Sequence, residues 1–140
     1  MPQEEPTQLI LKDMIDAYQQ GDTDRLAARI HDDVDWIFHA PVSLFAFAGA
    51  RRGKAEVFKA LALMYQAYRP VKYEVLATVV DGDRSATLCE AQVEQRATNR
   101  IISSRLANFH RYRDGLMVEY RGFIDSFDAV EQALGRELNV

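Results

Sequence analysis

Arg100–Asp125, RIISSRLANFHRYRDGLMVEYRGFID, is the stretch whose reading decides the fold. Asp114-Gly115 separates two runs rich in apolar, β-branched and aromatic residues, the pattern of a hairpin closed by a two-residue turn. Arg113 then faces Leu116, and the register follows outward from that pair. One face carries Phe109 with Tyr120, Ala107 with Gly122, Arg111 with Val118 and Arg105 with Ile124. The other carries His110 with Glu119, Asn108 with Arg121, Leu106 with Phe123 and Ser104 with Asp125. Successive strand residues point to opposite faces, so this division is forced once the register is granted. The first face is mostly apolar and is expected to look inward. The second is mostly polar and is expected to look out.

The neighbouring segments extend the pattern. Ser85–Arg96 alternates Thr87, Cys89, Ala91 and Val93 with Glu90, Gln92 and Glu94, which again predicts one apolar and one polar face. Val71–Val80 precedes it across a turn at Asp81-Gly82, and Asn99 sits in the turn that follows. Upstream, Asp32–His39 reads as a strand with Val34, Trp36 and Phe38 on one side and Asp35, Ile37 and His39 on the other.

Helical spacing predicts a first helix capped by Thr7 and stopped at Gly21. A short second helix, capped by Asp22 or Thr23, runs through Leu26, Ala27 and Ile30. Lys54–Tyr68 forms a third, ended by Pro70, and Ser126–Leu134 a fourth, stopped by Gly135. Pro41–Arg52 is a long, unusually apolar connection with Leu44, Phe45 and Phe47, expected to fold over something or to meet a partner chain. The order ααβαββββα argues for an α+β domain with a curved antiparallel sheet. The helices must bury their apolar stripes on the sheet's apolar face, which leaves a cone-shaped pocket beneath them.

Composition narrows the classes. The chain has 140 residues, 48% hydrophobic and 27% charged, with a formal net charge of -4. That length suits one domain spanning residues 1–140. The negative balance disfavours nucleic acid as a partner. No apolar run is long enough for a membrane span. The N-terminal MPQEEPTQ lacks the pattern of a signal peptide. Cys89 is the single cysteine, so no internal disulfide forms and a reducing cytoplasm is the expected compartment.

The stretch MIDAYQQGDTDRLAARIHDDVDW (14–36), the Gly49–Glu56 lead-in to the third helix and the closing RDGLMVEYRGFIDSFDAV (113–130) resemble the NTF2-like, or SnoaL-like, superfamily. The resemblance covers nearly the whole chain. It implies a cone of helices over a curved sheet, a fold that hosts isomerases, cyclases, hydrolases, dehydratases and plain binding domains. In the ketosteroid isomerases of this superfamily the oxyanion-hole tyrosine corresponds to Met14. The general base corresponds to Phe38, or to Ala40 with a small gap, and the protonated aspartate to Ala107. All three groups are missing, which argues against that reaction. The limonene-epoxide-hydrolase pattern of Arg-x-Asp on the middle strand is absent from both faces of Ser85–Arg96. Asp125 or Gly122 would stand at that pattern's final aspartate.

The predicted pocket is lined by Met14, Tyr18, Trp36, Phe38, Phe58, Tyr65, Cys89, Ala91, Ala107, Phe109, Val118, Tyr120 and Ile124, with Arg105 at its one charged position. Arg105 is a candidate anchor for a ligand carboxylate or a residue of the open rim. His39 is a candidate general base or a loop histidine bonded to backbone. Tyr18 and Tyr120 can donate to a ligand oxygen or simply pack. Cys89 reads as a small core residue rather than a nucleophile. His31, His39 and His110 lack metal-ligand spacing, so no metal is expected. GARRGK (49–54) departs from a phosphate loop in spacing and in its following Ala55, and no cofactor is expected. The expected ligand is a small hydrophobic or amphipathic molecule. The polar outer face, with Glu90, Gln92, Glu94, Asn108, His110, Glu119 and Arg121, is either solvated or a homodimer interface.

Overall fold

The computed structural model describes residues 5–139. Residues 1–4, which begin the acidic N-terminal stretch, and Val140 lie outside the described residues. Ten elements follow one another: α1 (Thr7–Gln20), α2 (Thr23–Ala27), β1 (Ile30–His39), β2 (Gly49–Arg52), α3 (Lys54–Ala67), β3 (Tyr68–Asp81), β4 (Arg84–Gln95), β5 (Ile101–Arg113), β6 (Leu116–Ile124) and α4 (Ser126–Leu134).

α1 buries Ile10, Leu11, Met14 and Ala17, the stripe its spacing requires, and ends where Gly21 turns left-handed at φ 66°. Pro6, not Thr7, holds the N-cap position. The Thr7 hydroxyl instead donates to the Gly82 carbonyl at 2.6 Å, tying the helix to the β3–β4 turn. Asp22 caps α2 by accepting from the Arg25 backbone N–H. Ile30 belongs to β1 rather than to α2. α3 stops at Ala67, and Tyr68 is already extended at φ -134°, three residues short of the strand start expected at Val71.

The six strands form one open sheet in the order β2-β1-β6-β5-β4-β3. Every pair is antiparallel except β1 with β6, which run parallel. The short strand β2 was not expected within the 41–52 connection. It pairs with β1 from Asp35↔Arg52 to Phe38↔Gly49 and adds an edge to the sheet.

The β5–β6 hairpin has the expected turn. Asp114 and Gly115 both take positive φ, 53° and 76°, and Arg113 pairs with Leu116. Beyond that the register differs from the expectation by one residue. Tyr112 pairs with Met117 but Arg111 pairs with Glu119, so Val118 is left over as a β-bulge. β3 carries a similar shift between Val75 and Ala77 that strands Leu76. Such bulges bend the strands that carry them, and the sheet curves.

The helices and the Pro41–Ala48 loop cover the concave side over two packed clusters. Ile10, Leu11, Met14, Ala17, Val34, Val57 and Met117 belong to one. Phe45, Ala48, Tyr68, Ile102, Ala129 and Ala133 make the other. The apolar connection therefore folds over the sheet of its own chain.

Candidate functional site

Between the two clusters lies a cavity of about 200 Å³. Among the residues expected there, Met14, Tyr18, Trp36, Phe38, Ala91, Tyr120 and Ile124 line it. Phe45 and Phe47 close it from the loop, and Tyr68, Val93 and Ile102 from the far end of the sheet. Trp36 and Tyr120, register partners on β1 and β6, stack at 3.9 Å between ring centroids.

The bulge at Val118 rearranges the rest. β6 keeps Tyr120, Gly122 and Ile124 inward, but opposite them now stand His110, Asn108 and Leu106. Asn108, His110, Leu106 and Ser104 line the cavity, while Arg105, Ala107 and Phe109 do not. Phe109 is 51% exposed on the outer face. The Arg105 side chain is 77% exposed and lies 3.5 Å from Glu90, so no carboxylate anchor stands within the cavity at that position. Ala107 pairs with Phe123 and Leu88, both outward. Its agreement with the inner face in the sequence reading rested on the unbulged register.

Other expected lining residues sit elsewhere. Val118 is buried at the bulge without reaching the cavity. Phe58 packs against the first cluster. Tyr65 is half-buried outside the cavity, with its carbonyl accepting from Arg96. Cys89 is fully buried just beneath the wall. His39 is exposed on the outer face, where its ring stacks on Phe123 at 4.5 Å.

Two hydrogen-bonded groups occupy the cavity wall. In the first, the Tyr120 hydroxyl donates to Asn108 Oδ1 at 2.6 Å, and Asn108 Nδ2 points to Thr87 Oγ1 at 3.4 Å and Cys89 Sγ at 3.8 Å. In the second, Ser85 Oγ sits 3.0 Å from His110 Nδ1 and 2.9 Å from the Tyr112 hydroxyl. Nδ1 is thereby engaged, which leaves Nε2 as the ring nitrogen open to a ligand. The chain runs in either sense. If Tyr112 donates to Ser85 and Ser85 to Nδ1, then Nε2 carries the proton and donates. With the order reversed, Nε2 accepts.

Burial pushes the His110 pKa down to about 4, against a weaker opposing effect of the Ser85 backbone. The imidazole is therefore neutral near pH 7. Burial raises the pKa of Tyr18, Tyr73 and Tyr120, and lifts Tyr112 to about 12. These hydroxyls stay protonated and serve as hydrogen-bonding groups, not as bases. Among the described lining residues none is Asp, Glu, Lys or Arg. His110 is thus the one basic side chain among the described lining residues, held neutral near pH 7.

The sequence reading missed Asn108, His110 and Tyr73 as inward residues. The signal for the first two was present. Leu116-Met117-Val118 puts three apolar residues in a row and breaks the alternation that a regular strand would keep. Tyr73 turns inward opposite Ala91 only because Leu76 is bulged.

A SnoaL-like domain family matches residues 11–120 of the sequence. The chain belongs to the SnoaL-like family. This SnoaL-like chain is 32% identical to a provisionally assigned isomerase from Rhodopseudomonas palustris, over 94% of the chain and 98% of that protein, with a TM-score of 0.82. An NTF2-like protein from Burkholderia thailandensis superposes equally well, at 0.82 with 21% identity over 93% and 98% of the two chains. A protein with a ketosteroid isomerase-like fold from Catenulispora acidiphila reaches 0.75 with 12% identity over 91% and 92%. No curated protein matches the SnoaL-like chain. Among its described residues, no cluster of three or more His, Cys, Asp or Glu is placed to hold a metal, and no helix is long and apolar enough to cross a membrane.

Proposed function

We propose that this SnoaL-like chain binds a small, largely apolar molecule with one polar end in the cavity, and that His110 exchanges a proton with it. The chemistry is then of isomerase or lyase type. The observation that carries the reading is His110 itself: a neutral imidazole in an apolar wall, oriented through Nδ1 by Ser85, with Nε2 free. Tyr18, Asn108 and Tyr120 supply dipoles for the ligand's polar end. Resemblance to a provisionally assigned isomerase supports this class of reaction. Ketosteroid-isomerase and limonene-epoxide-hydrolase chemistry both need carboxylates that the described lining residues do not include. His39 and Arg105 are exposed on the outer face and have no part in this reading.

A second reading, a binding module without catalysis, is favoured by one observation: much of the polar wall is satisfied internally, through Tyr120–Asn108 and Tyr112–Ser85–His110. The two readings are separated by one experiment. Neutral ketones, enones and alcohols with one or two rings are screened by calorimetry, and binders are followed by NMR for conversion. His110→Gln should bind them as the parent does and convert them about 100- to 10,000-fold more slowly. Equal turnover in the variant would end the catalytic role of His110. Binders without turnover would leave the binding module.

The outer face is proposed as the seat of a second copy. Its centre is apolar rather than polar: Val79, Leu88, Phe109 and Phe123 are exposed by 65%, 44%, 51% and 43%. Opposite charges flank that centre, with Arg111 beside Glu119 and Arg52 and Arg121 beside Asp35 along one edge, and Arg105 beside Glu90 along the other. A face carrying both signs around an apolar middle is complementary to itself across a two-fold axis.

A further inference from the structure

We infer that the cavity takes only uncharged ligands: a molecule presenting a hydroxyl or carbonyl oxygen, and excluding carboxylate, phosphate and ammonium groups. The inference rests on the binding reading above and narrows its ligand class.

None of the described residues lining the cavity carries a formal charge near neutral pH. The cations that the hairpin places nearest are turned away and already engaged. Arg105 lies beside Glu90, Arg111 beside Glu119, and Arg121 beside Asp35, all on the outer face. An anion entering the cavity would lose its water and find no countercharge, and an ammonium group would fare the same.

The dipoles that remain suit a neutral oxygen. The proton of Tyr120 is committed to Asn108, so its hydroxyl offers the ligand a lone pair. The Tyr18 hydroxyl, on the same cavity, can donate. An alcohol or phenol oxygen uses both, and a carbonyl oxygen uses the second. The volume of about 200 Å³ falls below the roughly 300–1,000 Å³ usual for drug-sized ligands, which limits the molecule to one or two small rings.

A weak acid should accordingly bind in its protonated form, because a group that cannot be ionised in place shifts its equilibrium instead. The test uses the unmodified protein and four derivatives each of benzene and naphthalene: the hydroxyl, the methyl ketone, the carboxylic acid and the aminomethyl compound. Affinities are measured by titration calorimetry at pH 7.5 and 6.5. The hydroxyl and ketone compounds should bind at least about 100-fold more tightly than the acid and the amine at pH 7.5. The acid should gain about tenfold at pH 6.5, as its neutral fraction does. Arg105→Ala should leave every affinity unchanged. An acid or amine that binds as tightly as the alcohol overturns the inference while the binding reading stands, and a loss of acid affinity in Arg105→Ala would do the same. If no member binds, the parent hydrocarbons included, both fall together.

Discussion

His110 stands opposite Tyr120 across the β5–β6 hairpin, with ring centroids 5.7 Å apart. The pairing exists because Val118 has no partner of its own. It brings the only histidine among the described residues of the cavity wall next to the tyrosine that Asn108 holds in place.

That histidine should make stability depend on acid. In the folded chain its pKa is about 4, and in the unfolded chain about 6.5. Between those values the unfolded state binds the proton more readily, so stability falls as pH drops from 6.5 towards 4 and is unaffected by this group above about 7. The full shift corresponds to roughly 3 kcal/mol at most. Urea unfolding at pH 7.5 and 4.5 should show His110→Gln losing less stability on acidification than the parent. Parallel losses would mean that the imidazole is charged where it sits.

Removing the amide at position 108 should leave the Tyr120 hydroxyl buried without an acceptor. Asn108→Ala is expected to cost about 1–3 kcal/mol, the range for an orphaned buried polar group. Tyr120→Phe should cost less, and the double variant should fall short of the sum, since the two share one bond. Chemical denaturation of the four proteins measures the coupling. Strict additivity would show the hydrogen bond to contribute nothing.

Gly122 lies where Tyr120 folds over the strand. A Cβ there would run into the Tyr120 hydroxyl and come within 2.7 Å of Phe38 Cδ2. Gly122→Ala should therefore destabilise by about 1–3 kcal/mol through overpacking and weaken binding of any cavity ligand. Thermal unfolding together with calorimetry checks both. An unchanged Tm would mean that the Tyr120 ring swings aside freely.

On the outer face, Phe109→Glu with Phe123→Glu should turn a two-chain particle into single chains without unfolding them, because both side chains are exposed. Light scattering on the parent should give twice the 16.0 kDa chain mass. A parent that already weighs one chain would refute the proposed pairing.

Much of the fold was legible because its signals are local. Gly21, the Asp114-Gly115 turn and Gly135 end or turn their elements through positive φ, and the apolar stripe of α1 is the one it buries. β2 was hidden because GARR carries no apolar alternation and is held mainly by its pairing with β1. The parallel contact of β1 with β6 joins residues some eighty positions apart and leaves no local mark. The cavity wall was half legible for a sharper reason. Trp36, Phe38, Ala91 and Tyr120 lie on strand stretches whose inward phase was read correctly. Asn108, His110 and Tyr73 depend on counting across a bulge, where one unpaired residue inverts every assignment beyond it.

The unpaired Val118 also ties two properties together. With Val118 paired instead, β5 would present Phe109 and Arg105 on the same side as Tyr120 and send Asn108 and His110 to the other. The inner chemistry and the outer surface are two sides of one strand, with a single residue setting which is which. Drawing Val118 into the ladder opposite Arg111 would turn β5 inside out relative to β6, costing the cavity its histidine and the exterior its exposed Phe109 in the same event. Deleting Val118 would keep the present pairs and remove only the bulge. The cavity wall and the outer surface therefore cannot be changed independently along this strand.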